Sequence, residues 1–349
     1  MPELRREPIT GRWVVIATKR AKRPESFTQK QRKPVKLMAN CPFCYGNEGM
    51  TPSEVLAFRP KGTKPNSSGW KVRVVPNKFP AFTMKSESEI KTPIVPTEFE
   101  DKQTGRQKEL EIYSHRPALG VHEVIVSSPD HVKSLALLTE QEVELVIEAY
   151  CSRLLDIKKD SRIKQVLIIV NHGEEAGTSI EHPHSQLFGM PIIPPVVAEE
   201  ISCADRYFRK TGQCVFCNIL AEELKMAERI ITESEYFLSF SPYASRQPFE
   251  TWIVPKKHLA NFELISLAEK KDFASILKST LGKIYKGLDD PPYNFYLHTS
   301  PFQMDAKKFY HWHIEILPKL SIQAGFEMGS GIMINVVSPE EAAKFLRNF

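Results

Sequence analysis

The sequence predicts an α+β fold built from two similar units that are related by internal duplication. Three features recur in the same order along the chain. They are a strand that ends at a histidine, an amphipathic helix behind a capping box, and a histidine pair with one residue between its members. A repeat of a whole structural unit explains such matched offsets.

The two matched strands are the segments 123–131 and 250–258. Each begins with Glu, continues through β-branched or aromatic residues, and reaches a histidine eight positions later. Runs of this kind that end at polar residues and Pro are typical of a β-strand followed by a turn. We therefore expect His131 and His258 to occupy equivalent places in the two units.

Each predicted helix begins eight residues after that histidine, at a capping box formed by Thr139 and Glu142 or by Ser266 and Glu269. Apolar residues then follow at helical spacing. We expect both apolar stripes to pack in the core. They comprise Val143, Val146, Ile147, Tyr150 and Leu154 in the first helix, and Phe273, Ile276, Leu277, Leu281 and Ile284 in the second.

A second strand and a histidine pair complete each unit. The strands are predicted over 165–170 and 293–298, and the pairs are His182 with His184 and His311 with His313. The proline-rich stretch 191–195 has a restricted backbone, which ends one strand and starts a linker. We therefore predict an N-terminal domain over residues 1–195 and a C-terminal domain over residues 196–349.

The composition is that of an ordinary water-soluble chain, with a formal net charge of +5. Nothing near residue 1 resembles a signal peptide and no stretch is apolar enough to span a membrane, so we expect a cytoplasmic protein. The first 40 residues hold eleven basic and three acidic residues. Such a segment is a solvated arm, a contact for a phosphate-bearing ligand or a contact for nucleic acid, and charge alone does not separate these readings.

Two Cys-x-x-Cys pairs account for four of the six cysteines. In a cytosolic chain this spacing favours metal ligation over disulfides, although a lone pair is also compatible with buried or redox-active thiols. Tetrahedral zinc needs four N or S ligands, and the duplication supplies equivalent histidines. We predict two structural zinc sites, one from Cys41, Cys44, His131 and His182 and the other from Cys214, Cys217, His258 and His311.

The segment 181–186 holds the candidate nucleophile. Because side chains two residues apart share one face of an extended chain, His182, His184 and Gln186 point the same way. A neutral imidazole held in one tautomer can attack phosphorus and form a phosphoramidate, so His184 is the predicted nucleophile. Gln186, Ser179 and Ser185 are the predicted donors to phosphate oxygens. The alternative for an isolated histidine pair is a metal site or a buried core pair.

The second unit has Glu315 where the first has Gln186. A carboxylate repels phosphate, so we expect only the first unit to be catalytic. His313 is then a packed residue, a support for its neighbours or a metal ligand.

The segment His-Pro-His-Ser-Gln at 182–186 resembles the histidine triad superfamily. It is most similar to the transferase branch, typified by galactose-1-phosphate uridylyltransferase and the related plant ADP-glucose phosphorylase, in which glutamine replaces the third histidine. The resemblance covers nearly the whole chain and implies two histidine-triad-like units, each an antiparallel sheet with helices.

The resemblance extends to further segments and implies their roles. The stretch 20–24 is similar to the family's nucleotide-phosphate segment, and 74–77 resembles the family's stretch beside the nucleoside. Residues 171–179 fall at the family's spacing before the histidine pair. The stretch 325–328 is similar to the segment that closes over the hexose in the family. The implied substrate-binding residues are Arg20, Arg23, Asn77, Asn171, Gly177, Thr178, Ser179, Phe326 and Glu327.

The family implies a ping-pong nucleotidylyl transfer between a nucleotide sugar and a hexose 1-phosphate. A UDP-glucose:galactose-1-phosphate uridylyltransferase is the first expectation. The second Cys-x-x-Cys is more similar to the plant phosphorylase, so an adenylyltransferase that uses phosphate as acceptor is the alternative. A non-catalytic zinc module that binds nucleic acid is the alternative of another class. Under the leading reading no nucleic acid or membrane partner is expected, and a homodimer is left open.

Overall fold

The computed structural model describes residues 1–18, 40–84 and 117–349. Its N-terminal half contains β1 (Glu3–Arg6), β2 (Trp13–Ile16), β3 (Leu56–Phe58), β4 (Val72–Pro76), β5 (Val121–Val126), α1 (Glu140–Ile157), β6 (Gln165–His172) and β7 (His184–Met190). The C-terminal half contains α2 (Pro195–Thr211), α3 (Val215–Met226), β8 (Ile230–Glu233), β9 (Phe237–Phe240), β10 (Thr251–Pro255), α4 (Leu267–Gly287), β11 (Tyr293–His298), β12 (His313–Pro318), α5 (Gly325–Ser330), β13 (Met333–Asn335) and α6 (Pro339–Leu346). Short 3-10 helices cover Glu48–Met50, Glu174–Ala176 and Phe262–Leu264.

Ten of the strands form one antiparallel sheet that shows the duplication directly. Read inward from one edge, the order is β3-β4-β5-β7-β6, and from the other edge it is β8-β9-β10-β12-β11. The halves meet where β6 pairs with β11. The predicted α+β fold of two histidine-triad-like units is confirmed, and their strands join into one continuous sheet.

Helices α1 and α4 pack against each other under one face of this sheet. Both predicted capping boxes are present, with Thr139 and Glu142 at the start of α1 and Ser266 and Glu269 at the start of α4. The two predicted apolar stripes are buried in a single core. The helical spacing in the sequence therefore identified the face of each helix that meets the sheet.

The opposite face of the sheet differs between the halves. Helices α2 and α3 cover it in the C-terminal half and form a second core there. Pro195, the last residue of the predicted linker, is the first residue of α2, where a proline costs no hydrogen bond. On the N-terminal half, the same face presents the first residues of β7.

A three-stranded sheet of β1, β2 and β13 joins the start of the chain to its end. The Arg5 guanidinium bonds the Glu340 carboxylate at 2.8 Å, which fastens β1 to α6. Within the described ranges, none of the helices combines the length and the apolar character that a membrane crossing requires.

Candidate active site and metal clusters

The candidate nucleophile, His184, is the first residue of β7. The side chains of this strand alternate between the two faces of the sheet. His184 and Gln186 are half-buried on one face, whereas Ser185 and Leu187 are fully buried on the other. His184 pairs with Val126 of β5, so a central strand fixes its position.

Hydrogen bonding fixes the tautomer of His184. Its Nδ1–H donates to the carbonyl oxygen of His182 at 2.8 Å. Burial lowers the pKa of His184, and the bond to His182 opposes this shift only in part. The ring is therefore neutral at neutral pH, with the lone pair on Nε2 available. The Phe43 ring, 5.3 Å away between centroids, packs beside it.

Gln186 lies two residues further along β7 on the same face. Its Oε1 is 3.0 Å from His122 Nε2. Sequence reasoning missed His122, although a histidine near the start of the mostly apolar β5 was a usable signal. His122 is buried and stacks on Phe188 with ring centroids 4.2 Å apart.

The prediction that the Ser185 side chain binds substrate is wrong. Its hydroxyl is fully buried on the helix side of the sheet and bonds the hydroxyl of Tyr150 of α1. The strand period explains the error, since the residue between His184 and Gln186 must point to the opposite face.

The end of β6 and the loop that follows it carry the predicted phosphate contacts. Asn171 Oδ1 accepts a bond of 2.8 Å from Asn294 Nδ2 of β11, which was not among the predicted site residues. The Thr178 hydroxyl donates to the Asn171 carbonyl. Gly177 has a φ of +87°, a left-handed conformation that favours glycine, and Ser179 is exposed.

Asn77 follows β4 and lies next to His122. Its backbone N–H donates to the His122 carbonyl at 2.8 Å, and its Oδ1 accepts from the Phe79 N–H at 2.9 Å. Its Nδ2 lies 3.1 Å from His122 Nε2. Asn77, His122 and Gln186 therefore form one polar group.

The other predicted substrate residues are not joined to this group. Arg20 and Arg23 lie outside the described residues. Phe326 and Glu327 are on α5, where Phe326 is exposed and the Glu327 carboxylate accepts from the Ala324 N–H at 2.9 Å. Among the described residues, no hydrogen bond or ring contact links Phe326 or Glu327 to β7.

The structure gathers the first predicted set of metal ligands. The ligand atoms of Cys41, Cys44, His131 and His182 all lie within 4.8 Å of one another. Cys44 Sγ is 3.2 Å from His131 Nδ1 and 3.5 Å from His182 Nδ1. Tetrahedral zinc bond lengths require a separation of about 3.6 Å between such atoms, so the donor set fits a metal ion.

The second predicted set matches the first. Its ligand atoms, from Cys214, Cys217, His258 and His311, also lie within 4.8 Å of one another. In both clusters the distal nitrogen of the second histidine donates to a carbonyl of the neighbouring strand region. His182 Nε2 bonds Ser128 O and His311 Nε2 bonds Pro255 O, each at 2.8 Å. These bonds direct the Nδ1 lone pairs toward the cysteines.

A third group of metal-compatible side chains consists of Glu200, His298, His313 and Glu315, and it was missed as a group. All four are buried, and their charges are balanced within the protein. His298 Nδ1 lies 3.1 Å from both Glu200 oxygens, and Arg246 pairs with Glu315. This network occupies the face of the C-terminal half that corresponds to the His184 face.

His313 has a different environment from His184. Its Nδ1–H also donates to a carbonyl, that of His311, at 3.1 Å, but its Nε2 lies 3.3 Å from Glu315 Oε1. Burial acts to lower the pKa of His313, but the hydrogen bond to Glu315, the charges of Glu200 and Glu315 and the bond to the His311 carbonyl together raise the pKa. Trp252 stacks on the ring, with centroids 5.2 Å apart. Both ring nitrogens of His313 are therefore engaged.

Family models cover both halves of the chain. The model of the galactose-1-phosphate uridyl transferase N-terminal domain matches residues 1–194, and that of the C-terminal domain matches residues 200–348. Among curated relatives, ADP-glucose phosphorylase from Arabidopsis thaliana is 36% identical and covers 99% of this chain and 92% of its own length. Galactose-1-phosphate uridylyltransferase from Thermotoga maritima is 30% identical over 99% and 98% of the two chains.

Solved structures agree with this result. The structure of the Arabidopsis thaliana ADP-glucose phosphorylase with bound ADP-glucose has a TM-score of 0.80 and 33% identity, and covers 100% of this chain and 99% of its own. A uridylyltransferase structure has a TM-score of 0.72 and 25% identity, with 100% and 98% coverage. The resemblance inferred from the histidine pair and its glutamine is confirmed. The chain belongs to the galactose-1-phosphate uridylyltransferase family of nucleotidyltransferases.

Proposed function

We propose that this protein is a hexose-1-phosphate nucleotidylyltransferase that carries a nucleoside monophosphate on His184. The observation that carries the proposal is the bond from His184 Nδ1–H to the His182 carbonyl, which leaves the Nε2 lone pair free. A fixed neutral imidazole is a competent nucleophile toward phosphorus.

The reaction then follows a ping-pong course. His184 Nε2 attacks the α-phosphorus of a nucleotide sugar, and the bond to the β-phosphate oxygen breaks, so that hexose 1-phosphate leaves with the electron pair. An oxygen of a second phosphate then attacks the same phosphorus and returns His184 to its neutral form. The Gln186 amide donates to a phosphoryl oxygen without taking up a proton, which stabilises the charge that develops there.

The second unit supports this proposal by contrast. His313 donates from both ring nitrogens, one toward His311 O and the other toward Glu315. It therefore lacks a free lone pair, and α2 and α3 cover its face of the sheet. We assign catalysis to the N-terminal half alone.

Two structural zinc ions are part of the proposal. The clusters around Cys41 and Cys214 each offer four protein ligands, which leaves no open position for water. Bound zinc would hold His182 and, through its carbonyl, His184. The free cysteines suit a reducing compartment, so we place the protein in the cytoplasm.

The donor has two candidates. UDP-glucose, with galactose 1-phosphate as acceptor, is the first, because the family models and many curated relatives bear that activity in their names. ADP-glucose with inorganic phosphate is the second. It is favoured by the 36% identity to the plant phosphorylase and by the structure of that enzyme with bound ADP-glucose. Because the chain belongs to an enzyme family, we set aside the alternative of a non-catalytic zinc module that binds nucleic acid.

The test is to incubate the protein with UDP-glucose and with ADP-glucose in separate reactions. Intact-mass measurement then detects a covalent gain of one uridylyl or one adenylyl group, and added galactose 1-phosphate or phosphate should discharge it. A gain with one donor and discharge by its matching acceptor identifies the reaction. The absence of a covalent gain with both donors, together with no exchange of labelled glucose 1-phosphate, would refute the proposal.

A further inference from the structure

His122 of β5 is a buried histidine to which the mechanism above gives no role. It is 8% exposed and lies opposite Phe188 in the pairing of β5 with β7. Within the part of the chain that the structure describes, its ring nitrogens face residues around the candidate active site. Nε2 faces Gln186 and Asn77, and Nδ1 faces the backbone N–H of Ala81.

The backbone determines the tautomer of this ring. The Ala81 N–H donates to His122 Nδ1 at 3.0 Å, so Nδ1 must present its lone pair. Burial lowers the pKa of His122, and the bond to Gln186 opposes this shift only in part, so the ring is neutral at neutral pH. The single ring proton is therefore on Nε2.

This proton fixes the orientation of the Gln186 amide. His122 Nε2–H donates to Gln186 Oε1 at 3.0 Å, which turns the Gln186 NH₂ group away from His122. A protonated Nε2 offers no acceptor to the Asn77 amide 3.1 Å away. The N–H bonds of both amides are thus left for another acceptor, and an anionic phosphoryl oxygen is a suitable one.

The second unit places another polar residue at the equivalent position. Val124 pairs with Gln186, and Trp252 pairs with Glu315, so the residues two positions earlier, His122 and Glu250, correspond. Glu250 holds Arg246 at 2.6 Å, and Arg246 binds Glu315. In each half, this position is linked to the side chain that follows the histidine pair by two residues, directly in the first unit and through Arg246 in the second.

We propose that His122 is a positioning residue that holds the Gln186 amide with its N–H bonds toward the phosphoryl group carried by His184. The inference rests on the proposed function for its kinetic consequence, and on hydrogen-bond geometry alone for the ring tautomer.

Two substitutions separate the two bonds of the ring. In His122→Asn the side-chain oxygen can still accept from the Ala81 N–H, but the donor at Nε2 is lost. In His122→Gln a side-chain N–H replaces the Nε2 donor. We expect the single-turnover rate of nucleotidylation to fall roughly 10- to 100-fold in His122→Asn. His122→Gln should recover most of this loss, whereas equal losses in both variants would overturn the proposal.

A double-mutant cycle tests whether His122 acts through Gln186. In a Gln186→Ala background, His122→Asn should change the nucleotidylation rate little, because the side chain that it orients is gone. A loss in that background as large as in the wild type would assign His122 a role independent of Gln186 and reject the inference.

The tautomer has a readout that needs no activity. Protein labelled with ¹⁵N-histidine should show, for the resonances that disappear in His122→Asn, an unprotonated Nδ1 and a protonated Nε2 at neutral pH. A proton on Nδ1 would contradict the inference even if nucleotidylation is observed. If no nucleotide donor labels the protein although His122 has the expected tautomer, the result would instead count against the proposed function.

Discussion

His184 and His313 occupy equivalent positions, and the residue two places further along the chain makes them chemically different. Both donate from Nδ1 to the carbonyl of the preceding histidine. Gln186 leaves His184 Nε2 free, whereas Glu315 engages His313 Nε2. A single side chain therefore distinguishes a histidine with an available Nε2 lone pair from a buried ion-pair partner.

Substitutions of Ser185 and of Gln186, the two residues that follow His184 along β7, should have opposite effects. Gln186→Ala removes a donor on the His184 face, so the nucleotidylation rate should fall roughly 100-fold. Ser185→Ala removes only the bond to Tyr150 on the helix side, so the rate should change little while the stability falls by about 1 kcal/mol. Rapid-quench kinetics and urea denaturation measure these effects. A larger rate loss in Ser185→Ala than in Gln186→Ala would contradict the assignment of the two faces.

At single residues, the sequence predicted His184 as the nucleophile, and repeated spacing predicted the two sets of metal-compatible side chains that the structure brings together. It missed His122 because the partner of that ring is 64 residues away in the chain. It also misplaced Ser185, although the alternation that placed Gln186 beside His184 excludes Ser185 from the same face. Only Arg20 and Arg23, among the predicted substrate residues, lie outside the described residues.

Helices α1 and α4 were predicted well because their capping boxes and apolar stripes are local signals. The strands required a correction. The sequence aligned Glu123 with Glu250, but the pairing register places Val124 and Trp252 at equivalent positions, which shifts the match by one residue. Glu123 instead bonds Arg153 of α1. Register depends on partner strands and is not visible in one segment.

The capping box of α1 gives a prediction for this element. Thr139→Ala removes the hydroxyl that accepts from the Glu142 N–H and should cost about 1 kcal/mol of stability. Gln141→Ala, at the exposed second position of the same helix, is the matched control and should be nearly neutral. Urea denaturation of both variants provides the measurement. Equal stability losses would show that the cap does not fix the start of α1.

Across the whole molecule, the duplication was visible in the sequence but the joining of the two halves was not. The central pairing of β6 with β11 connects residues more than a hundred positions apart, and no local pattern specifies it. The consequence is direct contact between the halves at the site, where Asn294 of β11 bonds Asn171 of β6. The C-terminal half therefore supports a candidate site whose proposed nucleophile, His184, lies in the N-terminal half.

Metal removal should affect the two halves differently. Cys41→Ser should lower the zinc content from about two to about one per chain, reduce the melting temperature and slow nucleotidylation at least tenfold, because His182 loses its anchor. Cys214→Ser should lower zinc content and melting temperature with a smaller effect on the rate. Cys203→Ser, on α2 and outside the clusters, is the control. Elemental analysis measures the zinc content and calorimetry measures the melting temperature. A full zinc content in Cys41→Ser would refute the ligand assignment.

The most direct test of the account is to locate the nucleotide on the protein. After reaction with the active donor, intact mass and peptide mapping should place one nucleoside monophosphate on His184. The adduct should be absent in His184→Ala and retained in His313→Gln, which keeps a donor toward Glu315. An adduct on any other residue, or one that persists in His184→Ala, would contradict the claim that His184 is the nucleophile.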